Sequence, residues 1–185
     1  MVSAEISRSA GRPRADLDSA VLTATLRTVH ERGYAGATVD RIAAAAGTAK
    51  TTLYRRWPSK GALVVASLVA AFGPLPAASD GPEQNLATLV RWGVDRIARP
   101  GVAAAFAGVF AEAVSDPDLR ALLRAHLQEP YRVGLEQVLG VPSERVLLIV
   151  DVVVGTLLHR TGITGEPIAD ADLQRLTAMV QQLLR

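Results

Sequence analysis

The chain has 185 residues, 49% of them hydrophobic and 21% charged, and it contains no cysteine. This is a globular composition with length enough for a sizeable core, and it excludes a disulfide framework, a cysteine nucleophile and any cysteine-based metal or iron–sulfur site. The net charge of +2 hides an asymmetry: residues 1–60 carry ten Lys/Arg against five Asp/Glu, and the remainder carries ten against thirteen, so the head alone is suited to a polyanion, or merely has a solvated basic face.

Residues 1–16, rich in Ser, Gly, Pro and Arg, read as a flexible basic arm. Helical periodicity starts at Leu17, continues through Val21, Leu22, Leu26 and Val29, and stops at Gly33. Thr38 is a good N-cap for a second helix that runs through Ile42 to Ala46, and Gly47 ends it. A short third helix covers about Ala49 to Trp57, and Pro58 closes it. Ser59 caps a fourth, with Leu63, Val64 and Leu68 in its stripe, and Gly73–Pro82 reads as a linker. Helices then span about Glu83 to Ala98 and Val102 to Val114, parted by Pro100-Gly101. Asp116-Pro117 opens another that runs to Leu139 with a bend at Pro130. The helix from about Ser143 to Gly162 is apolar nearly all round, which predicts burial on more than one side. Its most apolar part, Val146 to Leu158, is interrupted by Asp151 and is expected to be too short to span a bilayer. Asp170 caps a last helix bearing Leu173, Leu176, Val180 and Leu184. With no alternating strand pattern, the expected fold is all-α with about nine helices. The absence of a signal-peptide h-region adds the expectation of a cytoplasmic protein that engages no membrane.

Residues 38–57 fit a helix-turn-helix. Gly47 allows the positive φ of a sharp turn, and Ala43, Ala45 and Ala46 allow close helix approach. The second helix projects Lys50, Thr51, Thr52, Tyr54 and Arg55, while Leu53 and Trp57, four residues apart, anchor inward. A donor-rich helix with an apolar back is what entry into a DNA major groove requires.

Gly33-Tyr34, Thr38 to Ala43, Ala46-Gly47, Lys50 to Arg55 and Pro58-Ser59-Lys60 closely resemble the N-terminal domain of the tetracycline-repressor (TetR) family, over about residues 17–65. The resemblance implies a homodimeric transcriptional regulator, usually a repressor, released from a double-stranded DNA operator by a small-molecule effector. It divides the chain into the arm at 1–16, a DNA-binding domain at 17–60 and a ligand-binding and dimerisation domain at 61–185. Lys50, Thr51 and Arg55 are the candidates for base edges. Thr52, Tyr54 and Lys60 resemble the family's phosphate-contacting residues, with a buried Tyr hydroxyl as the competing reading for Tyr54. Thr38 at a helix N-terminus can donate to a phosphate or serve only as a cap, and Arg41 lies one turn on. Arg12 and Arg14 could enter a narrow minor groove or belong to an untethered tail. Ala49 stands where many relatives place a capping residue, so the third helix has its cap from Thr48 or none.

In the second half, Trp92, Phe106, Phe110, His126 and Tyr131 read singly as core residues but as a set on neighbouring helices are candidate pocket residues, with Arg96 as a polar anchor or a surface charge. Few polar groups accompany them, which favours a mostly apolar effector. Glu112 is a second possible anchor or a surface charge, and the small residues from Ala103 to Gly108 allow either a cavity or close packing. Val150, Val154, Leu157 and Leu158, with Leu173, Leu176, Val180 and Leu184, are the candidate dimer face. The three histidines lie far apart, and no metal motif, catalytic constellation or cofactor-binding loop is present, so no enzyme and no cofactor is expected. The alternative to a regulator is a helical architectural protein that binds DNA without sequence preference or effector control.

Overall fold

A computed structural model describes residues 14–78 and 81–185. All its regular elements are helical: α1 (Arg14–Gly36), α2 (Val39–Ala45), α3 (Lys50–Tyr54), α4 (Lys60–Phe72), α5 (Pro82–Ile97), α6 (Val102–Ala113), α7 (Pro117–Leu123), α8 (Glu129–Leu139), α9 (Ser143–His159) and α10 (Asp170–Gln181). A π turn at Arg124–Gln128 joins α7 to α8, so the described residues form nine helical rods and the fold is all-α, as expected. The departure from α geometry lies in the turn before Pro130. Proline offers no N–H to the carbonyl four residues back and its ring crowds that carbonyl. The chain widens instead, and the Glu129 N–H bonds to the Arg124 carbonyl.

Several boundaries differ from the sequence reading for local reasons. Helix α1 begins at Arg14, inside the segment read as an arm. Gly33, at φ 67°, breaks its path as expected, yet one further turn runs to Gly36. Helix α3 stops at Tyr54 rather than Trp57; the N–H groups of Arg56 and Trp57 converge on the Leu53 carbonyl, at 2.9 and 2.8 Å, and tighten the chain into a turn. Asp170 does not cap α10. The cap position falls to Ala169, and the Asp170 carboxylate pairs with Arg91 of α5 at 3.0 Å. The helix of α9 continues through a π turn at Arg160–Thr164, making Ser143–Thr164 a 22-residue segment that contains an 18-residue stretch of mean hydropathy 1.8. By length and composition the whole segment is enough to cross a membrane, a test that a core helix passes as well, whereas Val146 to Leu158 alone is too short. Its Val146, Ile149, Val153 and Leu157 are nevertheless buried in the helical body.

The core of the head is continuous with that of the body. Val21, Val29, Ile42, Leu53 and Leu63 are buried where α1 to α4 converge. The hydroxyls of Thr25, Thr28 and Ser67, also buried, donate to the carbonyls of Val21, Ala24 and Leu63 four residues back, so none is left unsatisfied. Helix α4 leaves the head and enters the body, where Phe72 meets Trp92, Phe106 and Tyr131 edge-on at 5.4 to 6.0 Å. Helix α6 lies against α1. Two of its contacts need glycine: a Cβ on Gly101 would stand 2.1 Å from the Leu26 carbonyl oxygen, and one on Gly108 2.0 Å from Tyr34 Cγ.

Candidate DNA-binding head and effector cavity

The turn between α2 and α3 is built from backbone. The Gly47 N–H bonds to the Ala44 carbonyl and the Thr48 N–H to the Ala43 carbonyl, at 3.2 and 3.0 Å. This pair of reversed bonds closes a helix C-terminus through a residue at positive φ, here Gly47 at 65°. Ile42 and Leu53 face each other's side of the core, fixing how α3 emerges. Arg27 of α1 donates to the Ala45 carbonyl at 3.2 Å, adding a cation at the C-terminus of α2. Arg56 forms an ion pair with Asp18 of α1 and ties the end of the motif to its start. Thr38 caps α2 by accepting from the Arg41 N–H at 3.4 Å; Ala49 contributes no side-chain cap to α3.

On this frame Lys50, Thr51, Tyr54 and Arg55 are exposed and Thr52 is half-buried. Tyr54 retains 45% of its surface, so the buried-hydroxyl reading does not hold. Lys50 donates to Asp40 at 2.9 Å, and that bond raises its pKa above the ordinary lysine value. Both partners are solvated, so the pair adds little stability and is free to exchange for a phosphate or base. Arg41 is exposed but donates to the Gly36 carbonyl at 2.7 Å, bracing the last turn of α1. Lys60 sits 3.8 Å above the Tyr34 ring centroid and donates to the Tyr34 carbonyl at 3.4 Å. The Tyr34 hydroxyl in turn donates to Glu112 of α6 at 2.5 Å; burial and this carboxylate push its pKa well up. Arg12 and the Arg14 side chain lie outside the described residues.

The body holds an apolar cavity of about 510 Å³, partly open to solvent, between α4, α5, α6, the α7–α8 rod and α9. Of the residues singled out from sequence, Trp92, Phe106, Phe110 and Tyr131 line it. Arg96 and His126 do not: Arg96 packs over the Trp92 ring at 5.8 Å, and His126, on the exposed side of the π turn, faces away. Glu112 faces α1 rather than the cavity, and Gly108 serves close packing. The polar wall unforeseen from sequence is Arg120, Arg124, Gln128, Arg132 and Asp151. Arg132 is held by Glu129, by Glu136 at 2.5 Å and by Ser143 at 2.6 Å, linking α8 to the start of α9 beside the cavity. Tyr131 donates to the Gly73 carbonyl at 2.6 Å, gripping the C-terminus of α4; burial raises its pKa.

The dimer candidates are redistributed. Leu157, Leu173, Leu176 and Val180 retain no more than 6% exposure and belong to the protomer's own core. Val150, Val154 and Leu158 line the cavity, and Leu184 is half-buried against the core. The apolar side chains that do point outward are Leu148 of α9 and Met179 of α10, at 47% and 56% exposure. The sequence stripe was assigned to a partner because a strongly apolar face suits an interface and a core equally well.

A short helix presented outward by a glycine turn and a buried back defines a DNA-binding protein of the helix-turn-helix class. The sequence pattern of the bacterial regulatory proteins of the tetR family matches residues 21–66, and that of the tetracyclin repressor-like C-terminal domain matches residues 77–180. The chain belongs to the TetR family of transcriptional regulators. A segment of 57 residues, 31% of this chain, is 46% identical to an uncharacterized HTH-type transcriptional regulator of Mycobacterium tuberculosis, and the match spans 28% of that protein's length. A TetR family transcription regulator of known crystal structure is 28% identical, with a TM-score of 0.64, over 91% of this chain and 97% of its own. The fatty acid degradation regulator FadR from Bacillus halodurans shares the fold at 20% identity and a TM-score of 0.67, over 90% of this chain and 96% of its own.

Proposed function

We propose that the chain acts as a homodimeric repressor in the cytoplasm, binding a pseudo-palindromic operator and released from it by a small, mostly apolar ligand. The observation that carries this reading is the pairing of an outward α3 with an apolar cavity reached by the same α4 that begins in the head. Lys50, Thr51 and Arg55 read base edges, while Thr38, Thr52, Tyr54 and Lys60 engage phosphates. Arg41 supports the head through Gly36 and lies near the same backbone. Arg12 and Arg14 supplement this from the arm. A second copy meets the outward faces of α9 and α10 at Leu148 and Met179, spacing two α3 helices by about one DNA turn, 34–36 Å.

The cavity volume suits a drug-sized molecule, and its aromatic and aliphatic walls favour an apolar one. Such a ligand presses on Phe72 and Tyr131, both tied to the end of α4. It shifts the heads only if it binds the mis-spaced dimer more tightly than the DNA-competent one. Replacing Tyr131 by Phe removes its bond to Gly73 and is expected to destabilise the protein by about 1 kcal/mol, lowering its melting temperature by roughly 2–4 °C. A melting curve superimposable on wild type would remove this tie from the mechanism.

The reading is tested by incubating purified protein with fragmented genomic DNA at near-physiological salt and sequencing what remains bound. A few sites sharing an inverted repeat are expected. Diffuse recovery would favour the architectural alternative. On a recovered site, Arg55→Ala should cost about 1–3 kcal/mol per half-site and relax preference at one position in each, whereas Lys60→Ala, which removes two phosphate contacts per dimer, should weaken all duplexes alike and flatten the salt slope by about 1.8. Equal loss on specific and mixed-sequence duplexes in Arg55→Ala would take base readout away from that residue.

A further inference from the structure

Three helices meet at Tyr34. Its ring, redirected by the break at Gly33, rests on α6 at Gly108 so closely that no Cβ fits there. Its hydroxyl donates to Glu112 at 2.5 Å, and the Lys60 amine at the start of α4 lies over its face at 3.8 Å. Glu112 is therefore joined to Lys60 through one side chain. Phe110, two residues before Glu112, lines the cavity. Residues two apart on a helix point about 200° apart, so α6 is a wall with the cavity on one side and Tyr34 on the other. Gly101 presses this wall against the α1 backbone and Gly108 presses it against the Tyr34 side chain, which leaves α6 little room to move without carrying Tyr34 along.

We propose that Glu112 is a positioning residue for Lys60: acting through Tyr34, it holds the amine where α4 meets DNA, and it is the point at which a displacement of α6 at Phe110 reaches the DNA-binding surface. This rests on the reading of Lys60 as a phosphate contact and of the cavity as the effector site. A carboxylate accepting from a phenol enriches the ring and fixes its plane, and both effects strengthen attraction of a cation to the ring face. A lysine held in this way loses less side-chain freedom on meeting a phosphate than a free one does. Glu112 itself lies on the body side of Tyr34, so its influence on DNA binding passes through the ring.

The test is a double-mutant cycle read by fluorescence anisotropy on two duplexes of equal length, one recovered from genomic DNA and one of mixed sequence. Tyr34→Phe and Glu112→Ala are each expected to weaken binding by roughly two- to tenfold in the wild-type background and to have no effect in a Lys60→Ala background. Tyr34→Phe keeps the ring and its packing, so it alone decides the matter if thermal melting shows that Glu112→Ala fails to fold. Unchanged affinity in Tyr34→Phe overturns the proposal, as does the same loss in both backgrounds, which would mean a general loosening of the head. Lys60→Ala without effect on affinity or salt slope overturns the link while leaving the regulator reading in place. A wild-type chain that binds neither duplex overturns that reading itself.

Discussion

Replacing Gly101 by alanine is expected to destabilise the protein by about 3 kcal/mol or more and to lower its melting temperature by roughly 6–12 °C. Two independent costs meet at this position. The backbone holds φ at 81°, where a side chain is strained, and the added Cβ would stand 2.1 Å from the Leu26 carbonyl oxygen. That neighbour is backbone within α1, so relief requires the whole of α6 to move away from the head. Gly93→Ala is the control: nothing lies within 4 Å of its Cβ position, and in a helix interior alanine is favoured over glycine by up to about 1 kcal/mol. Differential scanning calorimetry on the three proteins decides it. A Gly101→Ala melting point within a degree of wild type would show that α1 and α6 are not in close backbone contact.

The second large effect concerns assembly. The double substitution Leu148→Glu with Met179→Glu is expected to yield a folded monomer whose affinity for a full operator is lower by about 10²- to 10⁴-fold, because the second half-site is then bound intermolecularly. Both side chains are already half exposed in the protomer, so acidic replacements cost its own core little. They bring four carboxylates per assembly into a face proposed to be apolar and self-complementary. Light scattering reports the mass, circular dichroism the fold and anisotropy the affinity. A double variant that remains dimeric would move the interface elsewhere, and a wild-type chain that is monomeric would remove it.

The head was legible because local rules coincide with the tertiary outcome. Thr38 caps, Gly47 turns and Ser59 caps through their own backbone chemistry, and each does so in the structure. The cavity aromatics were legible in part, because Trp92, Phe106, Phe110 and Tyr131 are large residues on neighbouring helices. Arg96 and His126 lie outside the cavity lining; a polar tip says nothing about the direction a helix turns it. The dimer stripe was ambiguous for the same reason: Leu173, Leu176 and Val180 mark one apolar face, buried within the protomer, without saying whether a partner also meets that helix.

Asp40 beside Lys50 and Asp18 beside Arg56 were missed although the motif, once recognised, brings the starts of α2 and α3 together and places the end of α3 near α1. Glu112 gave no such signal. Its partner Tyr34 lies 78 residues earlier.

The sequence by itself determined the helices, several of their caps, the helix-turn-helix and the family. All of these follow from interactions within a few residues, or from a motif whose spacing is preserved. Only the tertiary structure decided that α6 separates the cavity from α1, that Gly108 is small for the sake of Tyr34, and that Leu148 and Met179 face outward. Those outcomes depend on how rigid helices rotate and approach one another. That rotation is set by the joint packing of side chains far apart in the chain, which no local periodicity encodes.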